Sequence, residues 1–350
     1  MQYHPGSGTS RLTSELLRVQ RELHGEGEFG VCCTCGNTDA LVKTLELLTE
    51  PGDTVLVEAY TWPGFLSMLG PRRRRAVGVA IDERGALPRA LDAALATLEQ
   101  EEGPKQRLFY TIPTGHNPTG MTVDLERKKQ LYDVCRRRGV VVLEDDPYYF
   151  LEFNDPSASF LSLDTDGRVV RLDSAAKIVA PGLRLGWASA SPAFVEKYRL
   201  FSEGSTQFPS GLSQTALLHL LTDRDKWTAH LRHVVDDYRR RRDLLADALA
   251  AELDPALATF QLPASGMFFW LKQLVTPDAA DLQDDFVDAG VAVVPGRCFR
   301  STFGADKARD ADTSVDPCPY LRLTFAFGQD HHIRTGVRRV AQVLKRRANA

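Results

Sequence analysis

The chain has 350 residues, 43% hydrophobic and 25% charged, with a formal net charge of −3. These are ordinary globular values and exclude intrinsic disorder, collagen and coiled coil. An acidic balance, with a pI near 6.3, argues against nucleic acid or a polybasic membrane surface as partner. No apolar run approaches the ~18 residues that span a bilayer. The start, Met1-Gln2-Tyr3-His4-Pro5, lacks the basic and apolar stretches of a signal peptide. The expectation is a cytoplasmic enzyme or binding protein of about two domains, or one large α/β domain.

In chain order, Cys32, Cys33 and Cys35 come first. No repeated CxxC pair and no histidine at ligand spacing accompanies them, so they read as small apolar residues of a buried strand rather than a zinc site. Strands are expected at Gly30–Cys35, Thr54–Glu58, Ala76–Ile81, Leu108–Ile112, Val140–Glu144, Val169–Leu172 and Leu185–Ala190. Helices are expected at Asp39–Leu48, Pro88–Gln100 and Leu125–Arg138, the last with an i, i+3, i+4, i+7 apolar pattern. Continuously apolar strands alternating with helices predict a largely parallel sheet covered on both faces. After about residue 210 the texture changes to long helices, Ser213–Thr222 and Ala229–Leu253. A smaller α+β region follows, with strands near Gly266–Leu271, Ala292–Val294 and Tyr320–Phe325 and a closing helix, His331–Arg347. The expected division is an N-terminal segment (1–28), a large domain (29–215) and a small domain (216–350). Two arginine runs, Arg72–Arg75 and Arg239–Arg242, lack interleaved aromatics and read as solvated faces.

Five segments sit at strand ends, where open α/β sheets bind ligands. Gly36-Asn37-Thr38 opens a helix and could cradle a phosphate on its N–H groups, although Asn-Thr-Asp is also an ordinary N-cap. Pro113-Thr-Gly-His-Asn117-Pro-Thr-Gly120 would hold the Asn117 amide rigidly in a turn. Glu144-Asp145-Asp146-Pro-Tyr148-Tyr149 places carboxylates directly after a buried strand, which is costly unless they are paired. Asp173-Ser174-Ala-Ala176-Lys177 is followed by Pro-Gly-Leu-Arg184, and lysine is the side chain that forms Schiff bases when its surroundings lower its pKa. Arg322, inside an apolar strand, calls for an anionic partner, a carboxylate being the best match.

Together, over essentially the whole chain, these segments resemble the fold-type I pyridoxal-phosphate (PLP) aminotransferases of class I/II. The nearest likeness is to the aminoadipate/kynurenine aminotransferases and fungal aromatic aminotransferases. The resemblance implies a three-layer αβα large domain with a mostly parallel sheet, plus a smaller α+β C-terminal domain. It implies PLP carried covalently by Lys177, which then serves as general base at Cα. It also implies Asp145 on the pyridine nitrogen, Asn117 and Tyr148 on the ring oxygen, and Trp62, in preference to Tyr60, stacked on the ring. Asn37, Thr38, Ser174 and Arg184 would hold the phosphate. Arg322, with Asn117, would take the substrate carboxylate, and Tyr3 would reach the neighbouring subunit's phosphate in a homodimer. The implied reaction is ping-pong transfer from an aromatic or aminoadipate-like L-amino acid to a 2-oxo acid such as 2-oxoglutarate, with Tyr60, Phe208 and Phe327 as candidate pocket residues.

Two departures accompany it. Ala176 stands where the family has a serine, and losing one hydrogen bond to a charged phosphate costs roughly 1–3 kcal/mol. Family members also carry several dozen residues ahead of Gln2-Tyr3 as an arm and part of a substrate lid. Either the sequence is truncated or the protein has lost the lid, and a missing lid would loosen substrate selection. A PLP-dependent β-elimination, or a non-catalytic relative keeping the fold, stay open as alternatives.

Overall fold

The computed structural model describes residues 3–103, 105–301 and 316–349. Met1 and Gln2, the first residues of the expected N-terminal segment, lie outside them. The chain begins with α1 (Ser10–His24), β1 (Gly30–Thr34), α2 (Asn37–Leu48), β2 (Thr54–Glu58), α3 (Pro63–Leu69) and β3 (Arg75–Val79). A short hairpin of β4 (Ile81–Asp82) and β5 (Gly85–Ala86) leads into α4 (Pro88–Glu102), β6 (Arg107–Thr111), α5 (Leu125–Arg137), β7 (Val140–Asp145), β8 (Val169–Ser174) and β9 (Gly186–Ala190). Then come α6 (Pro192–Glu203), α7 (Gly211–Leu221) and the long α8 (Arg224–Glu252). The C-terminal part holds β10 (Ala258–Phe260), β11 (Phe268–Gln273), α9 (Gln283–Asp288), β12 (Val294–Pro295), β13 (Tyr320–Thr324) and α10 (Asp330–Ala348).

The large sheet has seven strands in the order β1-β9-β8-β7-β6-β2-β3. From β8 through to β3 every pairing is parallel, whereas β9 runs antiparallel to both its neighbours. Successive residues of the central strands point to opposite faces, and both faces are buried. Val55, Val57, Leu108, Tyr110 and Leu143 join the core shared with α1, α2, α3 and α7. Leu56, Phe109, Val140 and Val142 join the core beneath α4 and α5. Helices therefore cover both faces, the three-layer α/β arrangement expected, and this two-sided burial is why the strands read as unbroken apolar runs. A four-stranded sheet, β10-β11-β13-β12, stands apart, with all its pairings antiparallel.

Several elements were not foreseen. α1 buries Leu12, Leu16 and Val19 against β1 and α7. Its pattern is plain in retrospect, but the preceding turn residues masked it. α3, α9 and the three-residue β10 are short, and the 12-residue α6 was also not foreseen. The cysteine reading holds for Cys32 and Cys33, buried in β1, whereas Cys35 lies just past the strand and is partly exposed. The arginine runs need one correction. Arg74 is buried, and its guanidinium donates to Thr49 O at 2.8 Å and Thr49 Oγ1 at 3.0 Å, tying down the C-terminus of α2. Among the described residues no helix is long and apolar enough to cross a membrane.

Candidate active site

The parallel strands β6, β7 and β8 end together beside the start of α2, and the chemistry collects there. Asp145 is the last residue of β7, on the same face as Leu143, so its carboxylate points toward α2 rather than to solvent. One oxygen accepts from Asn37 Nδ2 at 2.7 Å and the other from Tyr110 Oη at 2.8 Å. Burial pushes the Asp145 carboxyl up to about 6, while these two donors and Lys177 pull it down. Tyr110 was missed in the sequence. A tyrosine inside an apolar strand needs a partner for its hydroxyl, and its ring is fixed by stacking on Phe65 at 3.7 Å. Asn37, expected at a phosphate, spends its side-chain amide on Asp145 and on Leu172 O, while its backbone N–H belongs to the first turn of α2.

Lys177 follows β8 and is half-buried. Burial, with Arg184 and Arg322 close by, lowers its pKa, and Asp145 opposes them. Next to it, α2 starts at Gly36 without any side-chain cap, leaving its first N–H groups open. Gly36 has φ +88°, and a Cβ there would come within 2.8 Å of Arg184 Nη2. Only glycine lets that guanidinium lie over the helix start, where it also reaches Cys35 O at 3.3 Å. Thr38 is exposed in the same turn. Ser174 Oγ accepts from Ala176 N at 3.1 Å, which leaves its own proton to donate. An uncapped helix N-terminus, a hydroxyl and an exposed arginine form an anion site.

Opposite stands Arg322 of β13. Its guanidinium carbon lies 4.4 Å from the Phe268 ring centroid and 4.8 Å from that of Phe299. Nη1 donates to Asn117 Oδ1 at 2.9 Å, and Nε is buried without a partner. Among the described residues no carboxylate pairs with it, which leaves the guanidinium open to the anion foreseen for it. Tyr148 is buried, and burial together with Asp145 raises its hydroxyl pKa, with Arg322 and Asn117 acting the other way. Trp62 caps the start of α3, its indole folded over Gly64, where a Cβ would come within 2.2 Å of it. Tyr60 turns away, its ring edge-on to Trp270 and Tyr320 and its hydroxyl 3.4 Å from Arg300. Tyr3 is 81% exposed and meets Phe208 edge-on. Phe327 is 86% exposed, and beside His331 and His332 it lines a cavity in the C-terminal region whose walls include none of these residues. The structure thus removes Phe327 from the candidate pocket.

Buried charges hold this arrangement in place. Arg171, inside β8, has no exposed surface and contacts Asp146 at 2.9 Å, Asp173 at 2.8 Å and Glu144 at 3.1 Å. Burial pushes the Asp173 carboxyl up to about 7, against the pull of Arg171. This cation is what makes the Glu-Asp-Asp run tolerable after a buried strand. On the neighbouring loop, His116 Nε2 lies 3.0 Å from Glu58 Oε2, both side chains fully buried. Nδ1 meets Thr119 Oγ1 at 2.8 Å, anchoring the turn that carries Asn117.

A nucleophilic lysine, a buried carboxylate and an anion cradle at one end of a parallel sheet fit a phosphorylated pyridine aldehyde. The comparisons agree. Residues 6–340 match the family model "Aminotransferase class I and II". The chain belongs to that family. It is 32% identical to the mitochondrial kynurenine/alpha-aminoadipate aminotransferase of Bos taurus, over 99% of this chain and 83% of that protein. It is also 32% identical to an aromatic amino acid aminotransferase of Schizosaccharomyces pombe, over 99% of this chain and 79% of that protein. A solved kynurenine aminotransferase from Pyrococcus horikoshii, in complex with PMP, superposes with a TM-score of 0.91 at 26% identity, covering 100% of this chain and 83% of that one. The protein is a PLP-dependent aminotransferase. In this aminotransferase Tyr110→Phe removes one of the two donors to Asp145. A hydrogen bond to a charged group is worth about 1.5–3 kcal/mol, so PLP affinity should fall by at least tenfold in a cofactor titration. An unchanged affinity would show that Tyr110 only packs.

Proposed function

We propose that this aminotransferase moves the amino group of an aromatic or aminoadipate-like L-amino acid to a 2-oxo acid, with 2-oxoglutarate as the natural acceptor, in a ping-pong cycle. The observation that carries the reading is Arg322, a guanidinium clamped between two aromatic rings with no carboxylate of its own among the described residues. It suits the α-carboxylate of an amino acid, bound bidentately, with Phe268 and Phe299 as apolar neighbours for the side chain. The names of the bovine and yeast relatives support the donor class.

Bound PLP supplies an electron sink for the charge left at Cα when its proton departs. The chain's own residues do the rest. Lys177 would hold the cofactor through its side-chain amine and would serve as the general base for the Cα proton. Burial, with Arg184 and Arg322 nearby, lowers its pKa and so favours the neutral amine. Asp145, held by Asn37 and Tyr110, would keep the pyridine nitrogen protonated. Asn117 and Tyr148 would bind the ring oxygen, and Trp62 would cover the ring. Arg184, Ser174, Thr38 and the open N–H groups of α2 bind the phosphate, whereas Asn37 serves through Asp145. Arg322 fixes Cα over Lys177, which converts binding energy into orientation. Tyr3, exposed in the single chain, would complete the phosphate site of the partner in a homodimer.

The test is the absorbance of the PLP-loaded protein with L-phenylalanine and no acceptor. The visible band of lysine-bound cofactor should give way to the near-ultraviolet band of the amine form, and 2-oxoglutarate should restore it. In Arg322→Ala the same change should need at least about a hundredfold more donor, as expected when a buried, charge-assisted carboxylate contact is lost. A donor requirement equal to wild type would remove Arg322 from the substrate site. If no L-amino acid in a panel of aromatic and aminoadipate donors moved the band, the donor reading would fail.

A further inference from the structure

A second cavity, of about 500 Å³, lies beside the Arg322 site without sharing its residues. Tyr60, Glu83 and Met121 wall it from the side of the large sheet, and Trp270, Lys272 and Tyr320 from the small sheet. Neither Lys177, Asp145, Asn117 nor Arg322 lines it. The small-sheet register explains the adjacency. Trp270 pairs with Arg322 and Lys272 with Tyr320 across the β11–β13 ladder. Alternate residues share a face, so the face presenting Arg322 also presents Trp270, Lys272 and Tyr320. Phe299 separates the two places, with Arg322 on one side at 4.8 Å and Trp270 edge-on at 5.9 Å.

The lining has a definite chemistry. Trp270 and Tyr320 stack with centroids 5.0 Å apart and planes 10° apart, and Tyr60 stands edge-on to both, at 5.6 and 5.9 Å. They form an aromatic wall, continued by the thioether of Met121. Two opposite charges are left open at the cavity. Lys272 and Glu83 are exposed and form no ion pair among the described residues, whereas the adjacent Asp82 is held by Arg127 at 2.9 Å. The volume lies in the range of small-molecule sites. An open ammonium, an open carboxylate and a flat apolar wall are the complement of a zwitterion with an aromatic side chain. We propose that this cavity is a second binding site, for an aromatic L-amino acid, distinct from the site at Lys177. The ligand carboxylate meets Lys272, its ammonium meets Glu83, and its ring lies along Trp270 and Tyr320. Such a ligand touches both sheets at once and therefore favours the arrangement in which they are close, so donor concentration would act on the enzyme from outside the reaction site. The inference stands on the cavity and not on the donor class assigned to Arg322.

The experiment is calorimetric titration of the PLP-loaded protein with α-methyl-L-phenylalanine, which has no Cα proton to lose, with cofactor absorbance and tryptophan fluorescence followed in parallel. Two equivalents per chain are expected, one changing the cofactor absorbance and the other only the tryptophan fluorescence. Lys272→Glu should weaken the second at least tenfold and leave the absorbance response as it was. The paired exchange Glu83→Lys with Lys272→Glu should restore it. Arg322→Ala should lose the absorbance-linked equivalent and keep the other. A single equivalent in the wild type, lost in Arg322→Ala and indifferent to Lys272→Glu, overturns the second site. An unresponsive absorbance with one equivalent that disappears in Lys272→Glu supports the second site, while the donor reading under Proposed function fails.

Discussion

Lys177→Ala, loaded with PLP, should show no visible band of lysine-bound cofactor and should lose the half-reaction with L-phenylalanine by at least about 10⁴-fold. A positioned general base alone contributes about 10²–10⁴, and in the proposed function the same side chain would also be the covalent anchor, so two contributions would vanish together. Folding should survive, because Lys177 is half-buried and makes no ion pair among the described residues. Rapid single-turnover absorbance is the measurement. A variant that still converted the donor within tenfold of wild type would move the base to another residue and remove Lys177 from the centre of the site. External methylamine should restore part of the proton transfer in the variant, since the cradle of Gly36, Ser174 and Arg184 still holds the phosphate.

Asp145→Asn should act in opposite directions on stability and on function. Burial pushes the Asp145 carboxyl up from the ordinary carboxylate range to about 6. A raised carboxyl favours the folded state below the unfolded value and loses that contribution as pH rises through 6. Two pKa units correspond to about 3 kcal/mol, so the cofactor-free protein is weakened by roughly that much at neutral pH. Asparagine removes the charge. Free of PLP, the variant should melt higher than wild type at pH 7.5 and equal to it near pH 4. Loaded with PLP, the order should reverse, because a protonated pyridine nitrogen compensates the aspartate and not the amide. Turnover should drop by about 10²–10⁴ with the loss of ring protonation. Thermal melts of both forms at the two pH values check the stability half. If cofactor-free Asp145→Asn melted lower at pH 7.5, the buried carboxylate would be stabilised by Asn37 and Tyr110 alone, and its pairing with the ring would not be needed to explain it.

Much of this enzyme was already written along the chain. The strand runs Thr54–Glu58 and Val140–Asp145 are apolar because both their faces are covered, and that is a local property of composition. Lys177, Asp145, Asn117 and Arg322 announce themselves because polar groups at the ends of buried strands are costly without a purpose. The antiparallel course of β9 is not local: nothing in Gly186–Ala190 distinguishes a strand that runs up from one that runs down, and the pairing with both β1 and β8 decides it. The identity of the donors to Asp145 is not local either. Asn37 and Tyr110 lie 108 and 35 residues from it, and only the sheet order β8-β7-β6 with α2 across its end brings them to one carboxylate. The same holds for Arg171 among three carboxylates and for the aromatic cavity at Lys272, whose walls come from both sheets. Sequence by itself marked which residues to propose for the chemistry, because polar groups at the ends of buried strands stand out one strand at a time. Tertiary structure alone decided which of them touch, because strand order and register are settled by packing between segments far apart in the chain.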